Sequence, residues 1–407
     1  MKEIQGGITA PKGFMAAATA ANIKYVNRTD MAMIYSRQPC QIAGTFTTNV
    51  VKAACVLWDK KIVEESPYGQ AVVINSGIAN ACTGKEGFDY CSQTAEEMAD
   101  TLGIPVSACL VASTGVIGMQ LPIDRIRKGV RALGENLSDT PEAGTEAAKA
   151  IMTTDTCHKE IAVTFQVGGR EVTLGGMCKG SGMIHPNMCT MLAFLTTDLS
   201  ISGELLKEAL REDVKDTFNM VSVDGDTSTN DTLLILANGM AENPMICEKN
   251  EDYKAFVEAL RYVNTYLAKR MAGDGEGATA LLETRVIHAP NKDAARILAK
   301  SVICSSLTKA AIYGHDANWG RILCALGYSG VDFDPEKVEL FFEGEGKRIA
   351  IYRDGRGTDY SEEEAGRLLS LPEVRILVDM KSGEEEATAW GCDLTLDYVK
   401  INADYRS

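Results

Sequence analysis

The sequence predicts an α+β protein with helices and strands mixed along the chain and antiparallel hairpins present, in preference to a doubly wound parallel sheet. Three observations carry this. Ile161, Val163, Phe165 and Val167 alternate, Gly168-Gly169 turns, and Val172 and Leu174 alternate again, which is a hairpin. Phe256, Leu260, Val263, Leu267 and Met271 recur at helical spacing up to Gly273, the mark of a long amphipathic helix with a glycine stop. From Val338 onward the chain returns to alternation through Val338/Leu340/Phe342, Val374/Ile376/Val378 and Leu394/Leu396, read as strands.

The remaining elements follow in order. Ala71-Val72-Val73-Ile74 stops at Asn75-Ser76-Gly77, and Cys109-Leu110-Val111-Ala112 stops at Ser113-Thr114-Gly115; both predict buried strands feeding loops. Thr140-Pro141 supplies an N-cap and a proline in the first turn for a helix carrying Ala143, Ala147, Ala148 and Ile151, expected to end near Thr153-Thr154-Asp155. The hairpin then delivers the chain into Gly175-Gly176-Met177-Cys178-Lys179-Gly180-Ser181-Gly182, expected to be a flexible loop entering the buried run Met191 to Leu195. Ser202 caps a helix with Leu205, Leu206, Ala209 and Leu210 on one face, and Asp293 to Tyr313 reads as one helix closed by Gly314. No internal repeat or low-complexity linker marks a domain boundary.

At roughly 150 residues per domain, a chain of 407 residues predicts two or three domains, or one large unit with a second lobe. With 45% hydrophobic and 24% charged residues, a disordered or collagenous chain is excluded. The charge of −15, from 41 basic and 56 acidic residues, has the wrong sign for phosphate backbones or anionic lipid, so neither nucleic acid nor membrane is an expected partner. The 12 cysteines, from Cys40 to Cys392, are scattered singly without metal-ligand spacing, which predicts reduced core thiols and no metal site. The first residues lack a basic stretch leading into an apolar one, and no run approaches the length of a membrane span, so a cytoplasmic location is expected.

Most motifs fail on inspection. Gly84-Lys85 lacks the glycine that a phosphate loop needs where Ala79 stands, and Lys85 is followed by Glu86. Gly273-Asp274-Gly275-Glu276-Gly277 ends a helix instead of following a strand, so it is a turn and not a dinucleotide fingerprint. Asp224-Gly225-Asp226-Thr227-Ser228-Thr229-Asn230-Asp231 has Thr229 and Ile235 where a calcium loop needs Gly and Glu, and reads as a polar turn. Four histidines, His158, His185, His288 and His315, leave few bases for a serine triad, and His315-Asp316-Ala317-Asn318-Trp319-Gly320-Arg321 reads as a structural loop. What is left is Thr190, between a glycine-rich segment and a buried run, with Lys179 upstream. A threonine whose own α-amine is freed by cleavage needs no histidine base. On these features alone, an ordinary strand threonine is the better reading.

The segment Lys179-Gly180-Ser181-Gly182-Met183-Ile184-His185-Pro186-Asn187-Met188-Cys189-Thr190-Met191-Leu192-Ala193-Phe194 resembles the self-cleavage signature of the ornithine acetyltransferase (glutamate N-acetyltransferase) family of arginine biosynthesis. Further blocks resemble the family in order: Ser113 to Gly118, Met152 to Thr156, Ser222 to Thr232, Asn318 to Arg321 and Asn402 to Ser407. The resemblance implies stacked mixed sheets between helical layers, like the self-processing N-terminal-nucleophile enzymes, with a smaller second lobe. It implies a precursor cut between Cys189 and Thr190 into an α chain, 1–189, and a β chain, 190–407, assembling as α2β2. Thr190 would take the acetyl group of N-acetylornithine and pass it to glutamate, with Thr114 and Gly115 holding the oxyanion and no cofactor involved. Substrate contacts carry over to Thr153, Lys179, Thr190, Glu276, Asn402 and Ser407. Glu276 could pair with the ornithine side-chain ammonium or relay protons to the leaving amine, and the use of acetyl-CoA as a second donor stays open. The chain departs from the family pattern at Cys189, His185 and His315. The alternatives are a self-processing aminopeptidase, in which water takes the acyl group, and an uncleaved metabolite-binding protein.

Overall fold

The computed structural model describes residues 1–185 and 191–404. The chain forms two compact units interleaved in sequence: residues 1–180, 186–218 and 227–267 in one, and 181–185, 219–226 and 268–407 in the other. The smaller second lobe is present. The expected α and β chains, 1–189 and 190–407, do not follow this division, and the expected cut lies outside the described residues.

The first unit contains β1 (Lys2–Ile4), β2 (Phe14–Thr19), β3 (Met31–Phe46), α1 (Ala54–Glu65), β4 (Gly69–Ile78), α2 (Gly84–Leu102), β5 (Cys109–Val116), α3 (Ile123–Glu135), α4 (Pro141–Ala150), β6 (Lys159–Val167), β7 (Arg170–Lys179), β8 (Leu192–Thr197), α5 (Gly203–Val214) and β9 (Thr232–Ala237), and most of α6 (Glu251–Gly273). Its mixed sheet runs β1-β6-β7-β8-β9-β3-β4-β5, with β2 also on β3. The sixteen-residue β3 changes partners along its length: Met31 to Tyr35 pair with β4 and β2, and Gln41 to Phe46 pair with β9. Side chains from both halves, among them Met33, Ile74 and Leu110 with Met177, Phe194 and Leu234, close one core. The parallel neighbours β8 and β9 are buried at every position, which explains their unbroken apolar runs.

The second unit contains β10 (Leu281–Ala289), α7 (Lys292–Cys304), α8 (Ser306–Tyr313), α9 (Trp319–Gly327), β11 (Glu339–Gly344), β12 (Lys347–Arg353), β13 (Arg356–Gly357), α10 (Glu362–Leu369), β14 (Glu373–Asp379), β15 (Glu385–Cys392) and α11 (Leu396–Ala403). Its sheet runs β13-β12-β11-β14-β10-β15, with β10 and β14 parallel and the other neighbours antiparallel. Two mixed sheets with helices confirm the α+β class.

The hairpin stands as predicted, with Val167 opposite Arg170, and Thr140, Ser202 and Asn318 cap helices as side-chain acceptors. Five expectations are corrected. Strands β4 and β5 run on through Asn75-Ser76-Gly77 and Ser113-Thr114-Gly115, because these polar residues stay in parallel register and bond to each other. Helix α4 stops at Ala150, three residues early. Gly175 and Gly176 lie inside β7 instead of a loop, since a Cβ on Gly175 would collide with the Gly7 carbonyl and one on Gly176 would crowd Leu195. The stretch Asp293 to Tyr313 is two helices, broken at Ser305, whose hydroxyl caps the second. Leu394/Leu396 is no strand: Thr395 starts α11. Of the described cysteines only Cys40, Cys55, Cys91, Cys109, Cys178 and Cys392 are buried, so the core-thiol expectation holds for part of the set. Among the described residues no helix is long and apolar enough to cross a membrane.

Candidate active site

The parallel pair β4 and β5 carries the first group of residues. Its register breaks at Ile78, opposite both Thr114 and Val116. At this bulge Gly115 has φ +131°, a conformation that favours glycine, and a Cβ there would collide with the Gly77 carbonyl. The polar residues below it form one network: the Ser113 hydroxyl donates to Asn75 Oδ1 at 2.7 Å, Asn75 Nδ2 donates to the Ile78 carbonyl at 2.9 Å, and Asn230 Nδ2 donates to the Ala79 and Ser113 carbonyls at 2.6 and 2.8 Å. Thr114 and Gly115 are half-buried at the end of this network. They are placed where a strand terminates in a fixed bulge, as suits hydrogen-bond donors that must not move.

The β6–β7 hairpin carries the second group. Lys159 opens β6 opposite Cys178, and Lys179 closes β7, so pairing in the hairpin brings two lysines to the same end. Between them lies Asp155, in the loop after α4. Asp155 Oδ1 accepts from Lys159 Nζ and from the Gly180 backbone N–H, both at 2.7 Å; Oδ2 accepts from the Thr153 N–H at 3.0 Å and faces Lys179 Nζ at 3.8 Å. Lys179 Nζ donates to the Thr153 hydroxyl at 2.7 Å. Burial alone would raise the Asp155 pKa, but the two ammonium groups and the N–H donors outweigh it and hold the carboxyl well below the usual range. Arg28 also donates to the Met152 and Thr153 carbonyls, at 2.6 and 3.1 Å, which ties down the loop. Asp231 behaves in the opposite way: burial pushes its pKa well up although Lys179 pulls it down, and its Oδ2 has no hydrogen-bond partner among the described residues.

The third group lies in the second unit. The Gly273 to Gly277 segment is a turn, as expected, with the Glu276 N–H donating to the Ser181 carbonyl at 2.9 Å. A Cβ on Gly182 would run into the Glu276 carboxylate, so glycine at that position leaves room for it. Asn402 Nδ2, on α11, donates to Glu276 Oε2 at 2.7 Å. The C-terminal helix therefore folds back onto Glu276. Beside them Asp224 accepts from the Met183 and Ile184 N–H groups at 2.6 and 2.9 Å and from the Tyr398 hydroxyl at 3.3 Å. Burial, together with Asp224, Glu276 and Asp226, keeps Tyr398 protonated by raising its pKa. His185, one of the departures from the family pattern, lies 3.0 Å from the Ser222 hydroxyl; burial and the Lys300 charge lower its pKa to about 4, so it is neutral at pH 7.

Of the expected site residues the structure brings together Thr153 with Lys179, and Glu276 with Asn402; Thr114 and Gly115 form no hydrogen bond with Thr153 or Lys179 among the described residues. Cys189, Thr190 and Ser407 lie outside the described residues. Sequence reasoning missed Asp155, Lys159 and Tyr398 as neighbours of these groups, and read Asp224 only as part of a polar turn. For Asp155 and Lys159 a signal existed: an acid and a base four residues apart, just after Met152-Thr153-Thr154. Nothing local pointed to Tyr398.

A model of the ArgJ family matches residues 15–407. The chain is 51% identical over 409 aligned positions to the arginine biosynthesis bifunctional protein ArgJ of Symbiobacterium thermophilum, with the whole of both chains covered. It is 48% identical over 398 to the protein of the same name from Thermotoga neapolitana, covering 98% of this chain and 99% of the relative. Among solved structures, that of the arginine biosynthesis bifunctional protein argJ from Bacillus halodurans matches at 44% identity with a TM-score of 0.50, covering 52% of this chain and 97% of that one.

Proposed function

The chain belongs to the ArgJ family, and from that premise we propose that it is an enzyme of arginine biosynthesis that transfers an acetyl group from N2-acetylornithine to glutamate, yielding ornithine and N-acetylglutamate. The observation that carries the reading is the buried Lys179–Asp155–Lys159 cluster with Thr153 against Lys179. A lysine held at the end of a strand in this way is a residue type that binds a substrate carboxylate.

In the proposed mechanism the precursor cuts itself between Cys189 and Thr190. The freed α-amine of Thr190 takes the proton of its own hydroxyl, and Oγ1 attacks the acetyl carbon of N-acetylornithine. Thr114 and Gly115 hold the oxyanion that forms. The tetrahedral intermediate collapses, the C–N bond breaks, the departing amine takes the proton back, and ornithine leaves an acetyl ester on Thr190. The amine of glutamate attacks this ester and restores the free hydroxyl. Thr153 and Lys179 bind the substrate carboxylate, while Glu276 and Asn402 serve the ornithine side; Glu276 either pairs with the ammonium or relays the proton. Ser407 completes the substrate contacts. No step requires a cofactor.

Cleavage has independent support in chain length. The Bacillus halodurans chain matches 52% of 407 residues with 97% of its own length, which makes it roughly 218 residues long, the same as 190–407. The relatives are named bifunctional, and we extend that to this chain as a second activity in which acetyl-CoA acetylates glutamate. The cut chains stay together and pair as α2β2 in the cytoplasm.

On a denaturing gel, active protein is expected to run as two bands of roughly 20 and 24 kDa, the residue shares of 43.9 kDa, with Edman sequencing of the larger starting at Thr190. Thr190→Ala is expected to give one uncut, inactive band. An active enzyme that stays as a single band sinks the mechanism, and hydrolysis without transfer to glutamate would favour the aminopeptidase alternative.

A further inference from the structure

We propose that Asp224 and Tyr398 are positioning residues that act on the reaction through Glu276: together they fix the two segments that hold the Glu276 carboxylate. This rests on the reading that Glu276 serves the ornithine side. The first segment is Gly182 to Ile184. Asp224 accepts from the N–H groups of Met183 and Ile184 at 2.6 and 2.9 Å, and Gly182, next in chain, is the residue whose missing Cβ makes room for the carboxylate. The second segment is α11. There Asp224 Oδ2 accepts from the Tyr398 hydroxyl at 3.3 Å, and the Tyr398 carbonyl accepts at 3.0 Å from Asn402 Nδ2, the same nitrogen that donates to Glu276 Oε2 at 2.7 Å.

No residue of α11 is buried, so polar contacts carry much of its placement. At its start the Thr395 hydroxyl donates to the Gly277 carbonyl at 2.7 Å, and a Cβ on Gly277 would meet the Tyr398 nitrogen at 2.7 Å, so this turn of the helix lies directly on the segment that carries Glu276. Burial and the charges of Asp224 and Glu276 raise the Tyr398 pKa, which keeps its hydroxyl a donor.

The alternative is that Asp224 and Tyr398 secure a loop and a helix for the fold alone. The two separate experimentally, because a residue that acts through Glu276 loses its effect when Glu276 is disabled, whereas an independent structural loss adds to it. The test is a double-mutant cycle on kcat/KM for N-acetylornithine with wild type, Tyr398→Phe, Glu276→Gln and the pair. Tyr398→Phe removes one hydroxyl and keeps the ring; kcat/KM is expected to fall about 5–10-fold, the loss of one hydrogen bond. In the Glu276→Gln background the same replacement is expected to cost less than about 2-fold, the range within which uncoupled noise falls. Losses that multiply, or a Tyr398→Phe enzyme with wild-type kcat/KM, overturn the proposal. Asp224→Asn is expected to show the same coupling to Glu276→Gln, and multiplying losses there overturn the part assigned to Asp224; if that variant does not fold, the Tyr398→Phe cycle decides. A Glu276→Gln enzyme with wild-type kcat/KM removes the substrate role of Glu276, and the proposal falls with it. That result is distinct from an enzyme impaired by Glu276→Gln and indifferent to Tyr398→Phe, which overturns the proposal alone.

Discussion

Around Asp155 a buried carboxylate meets two ammonium groups, Lys159 at 2.7 Å and Lys179 at 3.8 Å. Around Glu276 and Asp224 the partners are neutral: the amide of Asn402 at 2.7 Å and the hydroxyl of Tyr398 at 3.3 Å, with no ion pair to either carboxylate among the described residues. The first carboxylate faces cations, and the carboxylates of the second cluster accept from neutral donors. The contrast teaches that burial does not decide the role of an acidic residue. The partners do, since the same carboxyl group faces ammonium groups in one place and neutral donors in the other.

The comparison breaks most visibly at Asp155. Asp155→Ala removes the carboxylate that Lys159 and Lys179 both face, and stability is expected to fall by about 3–5 kcal/mol, measured by denaturant unfolding. A loss within about 0.5 kcal/mol, typical of surface sites, would mean that the lysines are not held by this carboxylate. Next is Lys179→Met, which keeps Asp155 paired with Lys159. The fold should survive, while KM for N-acetylornithine rises about 10–100-fold. Steady-state kinetics at fixed pH check this, and an unchanged KM removes the carboxylate-binding role.

In the other cluster, Glu276→Gln keeps the shape and removes the charge. If Glu276 pairs with the ornithine ammonium, KM for N-acetylornithine rises roughly 10-fold with kcat retained. A fall in kcat with KM retained assigns it to proton relay instead.

The smallest effect concerns two buried aspartates of the same unit. Asp155 has a lowered native pKa, so its contribution to stability is fully present above the unfolded value of about 3.9 and is lost as pH falls through the lower native value. For Asp231 the native pKa is raised, so its contribution is greatest below about 3.9 and declines as pH rises toward the native value. Comparing wild type with Asp231→Asn by thermal unfolding from pH 4 to 7, the variant is expected to gain relative stability as pH rises. The reverse trend would mean that the fold favours the charged form of Asp231.

Where an element depends on neighbours in sequence, it was readable in advance. The hairpin from Lys159 to Lys179 needs only alternation and the Gly168-Gly169 turn, and α6 needs only helical spacing and its glycine stop. The misread elements depend on neighbours in space. Asn75-Ser76-Gly77 looks like a strand end because polar residues usually mark one, yet Ser113 across the ladder and Asn230 from the stretch before β9 satisfy the buried polar atoms and allow the strand to continue. Gly175 and Gly176 look like a loop, but Gly7 and Leu195 leave room only for glycine in that strand. The helix predicted over Asp293 to Tyr313 has unbroken local propensity, and its break at Ser305 has no periodic signal; there the serine leaves the helical conformation and caps the next helix.

The same division holds for the site. By itself the sequence determined the α+β class, the caps of several helices and, through the ordered blocks around Thr190, the family, because these depend on spacing and residue type along the chain. The tertiary structure alone decided that Lys159 and Lys179 share one carboxylate, that Asn402 returns to Glu276, and that each unit is assembled from separate stretches of the chain. The reason is physical: a buried charge is stable only beside its partner, and the partner is chosen by strand register and chain return over separations such as the 126 residues between Glu276 and Asn402, which no local pattern encodes.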